Sequence, residues 1–419
     1  MKQSQIINQT SHSKEACNAG CSACVGSRLQ KDPSPPQCTP VGSSFLFDRD
    51  FNTNRKELCS LLEELCAIPA PSGQEDLRAA FISQWLSHLG LNPVIDEAKN
   101  VLVSFHCETS SSITLLMAHT DIVFPDLETL PVKRTRNRIY SPGVGDDTAC
   151  VAILMLFLKD HLQTLLSSSV PLLFAFNSCE EGLGNLKGCR QIMETYQGRI
   201  CQAVSFDGGV NGICNHAVGS LRYEISIQTK GGHSYNDFGN DNAIEAMAYL
   251  IQKLYQLKVP AHGKNTYNVG TIQGGTSVNT IAQDCKCLVE YRSDKKEYLE
   301  QMKEYFSNTL GPLKRERPNL AVKVTLMGER PCMGDVNPKA QETLTLLASK
   351  ALSSYSRHPL PIGPGSTDCN IPLSLGIPAV SFGGLLGSGV HTREEYVNIS
   401  ELLEMKKILE NFIYSLCCI

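Results

Sequence analysis

The chain has 419 residues, a formal net charge of −4, 42% apolar residues and 18 cysteines. That length exceeds one simple core and predicts two domains. The mild charge gives no electrostatic footing for nucleic acid, and no apolar run reaches the length of a bilayer span, so neither nucleic acid nor membrane is expected as a partner.

Residues 1–45 read as a flexible tail. The opening "MKQSQIINQTSHSKE" lacks the apolar stretch of an export signal, so a cytoplasmic location is expected. "CNAGCSAC" sets Cys17, Cys21 and Cys24 in a C-x3-C-x2-C spacing, with Cys38 beyond. Three thiolates could hold a metal or cluster, but the Ser-, Asn- and Pro-rich surroundings favour an oxidisable tail. Most other cysteines lie in apolar segments such as "LLEELCAI" and are expected to be reduced, buried small hydrophobes.

Beyond the tail, helical apolar spacing marks 54–67 and 76–89, and β-rich stretches mark 100–106 and 113–118. "DDTACVAILMLFLKDHL" opens on acids and continues as an apolar helix; "VPLLFAFNS" and "ICQAVSF" read as buried strands. Strands alternating with helices predict an α/β fold with a central sheet covered on both faces. Near 218 the pattern changes. "LRYEISIQTK" alternates as a half-exposed strand, then come a helix (242–257), strands (266–273 and 284–292), a helix (294–309) and a strand (320–327). That order, β-α-β-β-α-β, is the ferredoxin-like split βαβ unit. The expected organisation is a larger domain from 46–217 and 331–419, interrupted by a small inserted domain at 218–330. The larger domain closes with a helix from about 399, with Asn398 as its cap and Glu401 three residues on.

Acids and histidines collect where strands end. "LLMAHTDIVF" holds His119 and Asp121, two apart and therefore on one side of a strand. "SPGVGDDTAC" holds Asp146 and Asp147, "FNSCEEGLGN" holds Glu180 and Glu181, "VSFDGG" holds Asp207, and "GSGVHTREEY" holds His391. Taken singly, each has an ordinary reading as a paired histidine, a helix cap, a solvated acid or a turn. Ligands in open α/β sheets bind at the carboxyl ends of strands. Acids gathered in one cleft would repel each other unless a cation or protons intervened. Two histidines with surplus carboxylates suit zinc or a similar divalent ion, and the surplus suggests two ions sharing a carboxylate.

"HTD", "GVGDD", "EEG", "FDGG", "GGHS" and the late "HT", in that order, resemble the M20 family of dinuclear zinc peptidases and deacylases, with a peptidase T-like flavour in "GDD" and "FDGG". The resemblance runs from about 46 to 415. It implies a zinc-peptidase catalytic domain with a central mixed sheet flanked by helices, and an inserted lid and dimerisation domain. It implies two Zn²⁺ per chain, with Co²⁺ or Mn²⁺ as substitutes. His119 and Asp207 would hold one ion, Glu181 and His391 the other, and Asp146 would bridge them. Asp121 would orient the His119 imidazole, and Glu180 would be the general base. His233, Asn279, Arg292, Gly365, Ser366 and Asp368 would contact substrate, His233 by the resemblance often in the partner's active site. Thr148 stands where many relatives carry lysine. Cys150, Cys179 and Cys369 adjoin the motifs, which suggests that thiol reagents depress activity.

The expected activity is cleavage of an amide in short peptides by an exopeptidase of the aminopeptidase or tripeptidase kind. An N-acyl-amino-acid deacylase is the alternative within hydrolases, and a catalytically silent peptide-binding relative the alternative outside them. A homodimer through the inserted domain is expected.

Overall fold

The computed structural model describes residues 49–353, 360–383 and 387–417; the cysteine-rich tail lies outside the described residues. The main sheet has eight strands, ordered Val94–Ile95, Val101–Phe105, Leu172–Asn177, Ile113–His119, Ile200–Phe206, Ala379–Phe382, Ile213–Ala217 and Ile362–Gly365. The sheet is mixed. The four central strands run parallel, while Val101–Phe105 and Ile213–Ala217 join them antiparallel.

Alternation along the strands explains the two covered faces. Leu116 and Ala118 enter a core shared with the helices Arg49–Ala67, Asp76–His88, Ala149–Asp160, Pro338–Ser353 and Ile399–Cys417. Leu115 and Met117 point the other way, into a core shared with Lys187–Thr195 and Asn370–Ser374. Burying each such leucine contributes about 1.5–3 kcal/mol. The central strands are therefore apolar on both sides. Their polar groups are forced to the ends, and His119, Asn177 and Phe206 all terminate at the same edge.

Residues 219–330 carry a second sheet, ordered Asn265–Gly274, Asp284–Ser293, Gly219–Gln228 and Ala321–Arg330, with every neighbour antiparallel. The helices Ala243–Leu254 and Lys296–Glu316 contribute Met247, Leu250, Met302 and Phe306 to its own core, where Phe306 stacks on Tyr223 at 4.3 Å. The elements thus follow the order β-α-β-β-α-β, apart from a short antiparallel pair of Gly232–His233 and Thr280–Ile281, distant in sequence. Asn242 caps the first helix by accepting from Ile244 and Glu245 N–H groups. The second helix runs past the expected end near 309, through Gly311 and Pro312, because Leu310 and Leu313 continue its buried stripe.

One further boundary differs from the sequence reading. The helix expected to open on Asp146 begins as an α-helix at Ala149; Asp146 and Asp147 sit before it in non-helical backbone. Of the thirteen described cysteines, all but Cys201 are buried, in line with small apolar packing. No helix among the described residues is long and apolar enough to cross a membrane.

Candidate active site

Three neighbouring strands deliver the site's acids and imidazole. His119 ends its strand, Glu180 and Glu181 follow the strand closing at Asn177, and Asp207 follows the one closing at Phe206. Asp146 comes from the loop before the Ala149–Asp160 helix, and His391 from a Gly-rich turn 245 residues later by numbering, at φ 63°. Asp146 stands between the imidazoles, with His119 Nε2 3.0 Å from its Oδ1 and His391 Nε2 3.2 Å from its Oδ2. His391 Nε2 also lies 2.9 Å from Glu181 Oε1. One donor atom each from His119, Asp146 and Glu181 fall within 4.8 Å of one another. Asp146, Glu181, Asp207 and His391 line a cleft of about 410 Å³. Gly209 lets the chain pass close: a Cβ there would meet the Asp146 carboxylate at 2.6 Å.

The charges here are held in balance by protons. Hydrogen bonds to Asp146 and Glu181 push His391 up to about 10. Burial opposes charge on His119, yet bonds to Asp121 and Asp146 hold its pKa well above the usual histidine range. Asp146 is also buried, but both imidazoles draw it well below the carboxylate range. Asp207 goes the other way, up to about 7, through burial and the negative charge of Asp146. Surplus carboxylates compensated by imidazolium protons form a donor set that a divalent cation satisfies in their place. The nitrogen and oxygen donors suit zinc or a neighbouring first-row ion.

A second layer fixes these groups. The Asp121 carboxylate is not the main partner of the His119 ring. Its backbone carbonyl lies 3.1 Å from His119 Nδ1, while its nearer carboxylate oxygen is 3.5 Å away. The carboxylate instead accepts from the N–H groups of Glu180 and Glu181, both at 2.9 Å, and from Ser72 Oγ at 2.5 Å. Asp121 thereby orients the imidazole with its main chain and the glutamate loop with its side chain. Asp147 is no helix cap either. It accepts from the N–H groups of His119 at 3.1 Å and Gly208 at 2.8 Å, tying two ligand-bearing segments together. Glu395, four residues after His391, accepts from the N–H groups of Gly143, Gly145 and Asp146 at 3.0, 2.7 and 3.0 Å. Arg78 donates to the carbonyls of Thr120 and Ile68 and to Thr148 Oγ1, at 2.8, 2.6 and 3.2 Å.

Arginines line the other wall. Arg330, the last residue of its strand and 5% exposed, donates from Nη1 to Glu180 Oε1 at 3.1 Å and to Ser366 Oγ at 3.3 Å. Its Nη2 donates to the Glu180 carbonyl. Burial raises the pKa of Glu180 well above the carboxylate range against the pull of Arg330. Glu290 Oε1 accepts from Arg222 at 2.8 Å and Arg292 at 2.9 Å. Arg222 alternates with buried Leu221 and Tyr223, so it faces away from the small core.

The other expected substrate contacts divide. Arg292 and Ser366 line the cleft, and Gly365 lies beside it. Asp368 does not reach it: the side chain is fully buried and accepts from Asn177 Nδ2 at 2.6 Å, because the turn into the Asn370–Ser374 helix carries it inward. His233 and Asn279 are exposed at the short paired segments, where Asn279 O accepts from Ser234 N at 3.0 Å, and neither lines this chain's cleft. The three cysteines beside the motifs bear on the suggested thiol sensitivity. Cys150, Cys179 and Cys369 are buried, and burial raises all three thiols, Cys179 to about 12. Arg78, Arg222, Arg330 and Glu395 escape motif reading. The one hint is in "HTREEY", where an acid follows His391 at short range.

A helix-covered mixed sheet with this acid–histidine cluster at its carboxyl edge belongs to the metal-dependent hydrolases. More narrowly, the chain belongs to peptidase family M20/M25/M40, whose model matches residues 115–415, and is an enzyme that hydrolyses amide bonds. It is 24% identical over 369 residues to a succinyl-diaminopimelate desuccinylase of Corynebacterium glutamicum, covering 84% of this chain and 95% of that protein. Its fold is similar to that of a Staphylococcus aureus tripeptidase (TM-score 0.69, 19% identity, 87% of this chain and 99% of that one). It is similar also to aminopeptidase PepT of Bacillus cereus (TM-score 0.65, 19% identity, 86% and 98%).

Proposed function

We propose that the chain is a dinuclear zinc exopeptidase acting on short peptides. The carrying observation is the Asp146 carboxylate set between two imidazoles, one oxygen to each. His119 and Asp207 would hold one ion and Glu181 and His391 the other, with Asp146 shared. When bound, such ions supply Lewis acidity to the amide carbonyl and to water. Glu180 takes the proton of the attacking water on its carboxylate and hands it to the departing amine. Arg330 keeps that carboxylate in place, and Arg222 and Arg292 offer guanidinium forks to a substrate carboxylate. The names of the tripeptidase and PepT neighbours support a peptide substrate. The desuccinylase relative supports a second reading, an N-acyl-amino-acid deacylase using the same groups. A silent peptide-binding role is opposed by Glu180, which stands in the cleft beside the ligand set.

Residues 218–330 serve in this reading as lid and dimerisation domain, placing the exposed His233 and Asn279 at a partner's cleft. Sedimentation showing a stable, fully active monomer would remove that part. The free cysteines fit a reducing, cytoplasmic setting. The reaction itself is tested by assaying wild type and Glu180→Ala on tripeptides and N-acetyl-amino acids after metal loading. Turnover by wild type alone is expected; equal turnover by both ends the assignment of Glu180.

A further inference from the structure

A second cavity of about 370 Å³ adjoins the metal-ligand cleft, and the two share Gly209, Val210, Ser366 and Thr367 as lining residues. Its volume falls within the range of about 300–1,000 Å³ typical of small-molecule sites. None of its described lining residues carries a charge. Val210, Ile213, Pro361, Ile362 and Pro364 supply apolar surface, beside three glycines, Cys214 and the uncharged polar residues Asn211, Ser366 and Thr367. Ile362 is 49% exposed, a large apolar side chain left uncovered beside a site lined by ionised groups. The charged walls belong to the cleft, where Arg222, Arg292 and Arg330 stand near the acids. A substrate whose amide sits at the ligand cluster can extend a neighbouring group through the shared wall into this cavity.

We propose that the side cavity is a specificity pocket for an uncharged, apolar group next to the scissile amide, either an aliphatic acyl chain or an aliphatic side chain. The inference rests on the amide-hydrolase reading above and narrows its substrate class. Burial of apolar surface favours each added methylene by about fourfold. An anionic acyl group meets no cation among the described lining residues and stays unpaired on leaving water, so it is disfavoured by at least roughly tenfold.

The test is a chain-length series on the metal-loaded protein: glycine-terminated substrates acylated with acetyl, butyryl, hexanoyl and succinyl groups, beside dipeptides starting with Ala, Leu or Asp. The expected result is kcat/KM rising with aliphatic length, with succinyl and Asp substrates at the bottom. Two variants probe the wall. Gly363→Phe fills the cavity, since a Cβ at Gly363 meets nothing within 4 Å and its backbone lies outside the left-handed region. Ile362→Ser removes apolar wall. Both flatten the length dependence. A flat series in wild type, a preference for succinyl, or an unaltered slope in both variants overturns the pocket. Absence of all turnover refutes the hydrolase reading instead; calorimetric binding of the same acyl-glycines then decides the pocket, and affinity independent of chain length overturns it.

Discussion

Glu180 is gripped by Arg330 at its carboxylate and again at its carbonyl, so charge and position come from one side chain. Replacing Glu180 with Gln keeps the shape and removes the proton acceptor. We expect kcat to fall by about 10²–10⁴ with KM and metal content preserved; unchanged kcat would show that another group takes the proton. Arg330→Met leaves a buried carboxylate without its partner and lets it swing. Lower kcat is expected, partly recovered in Arg330→Lys, whereas a change confined to KM would make Arg330 a substrate contact. Glu395 is the corresponding anchor for Asp146. Its loss in Glu395→Ala orphans three N–H groups, at about 1–3 kcal/mol each before relaxation and water entry. The expected outcome in chelator competition is weaker zinc retention by this variant, with wild-type retention as the contrary result.

At the scale of elements, the Asp76–His88 helix is tied to the segments around the site through Arg78. Burial lowers that guanidinium to about 10, so it remains charged at neutral pH. Arg78→Met leaves three acceptors without their donor and is expected to destabilise the fold by about 3 kcal/mol, read as a shift in the urea midpoint. The closing helix is tied in differently. Lys406 donates to Asp160 Oδ2 at 2.9 Å and to Glu410. Glu410 is partly buried, which raises its pKa, but His161 and Lys406 draw it below its usual 4.5 overall. Its folded pKa lies under its unfolded one. Its contribution is therefore present above about pH 4.5 and lost as pH falls through the folded pKa. Glu410→Gln should lose stability at neutral pH and show a shallower acid limb when denaturant midpoints are compared across pH; parallel limbs would exclude the coupling.

Local patterns carried the strands well, because apolar runs on both faces of a buried sheet leave polar residues only at the ends. They failed where a long-range partner decides. The Gly–Pro pair at 311–312 reads as a helix end, yet the buried Leu310 and Leu313 carry the helix through. Asp368 reads as a cleft residue and is turned inward by the next helix. Arg330 meets Glu180 across 150 residues of sequence, a separation at which no spacing rule operates.

Across the whole molecule, the described fold sets three arginines of the second sheet along the cleft that Asp146, Glu181, Asp207 and His391 also line. The motif order along the chain made those acids and that histidine legible, since each motif falls at a strand end and strand ends of a parallel core share one edge. The arginine wall was mostly illegible, because alternation in the small sheet puts arginines on an outer face whether or not a cleft lies beneath. The account stands or falls on the shared Asp146. The most direct measurement is zinc content per chain after equilibrium dialysis, compared between wild type and Asp146→Ala. The account predicts two ions in the first and a marked loss in the second. A wild-type protein that holds no transition ion, or a variant that holds as many, would contradict it.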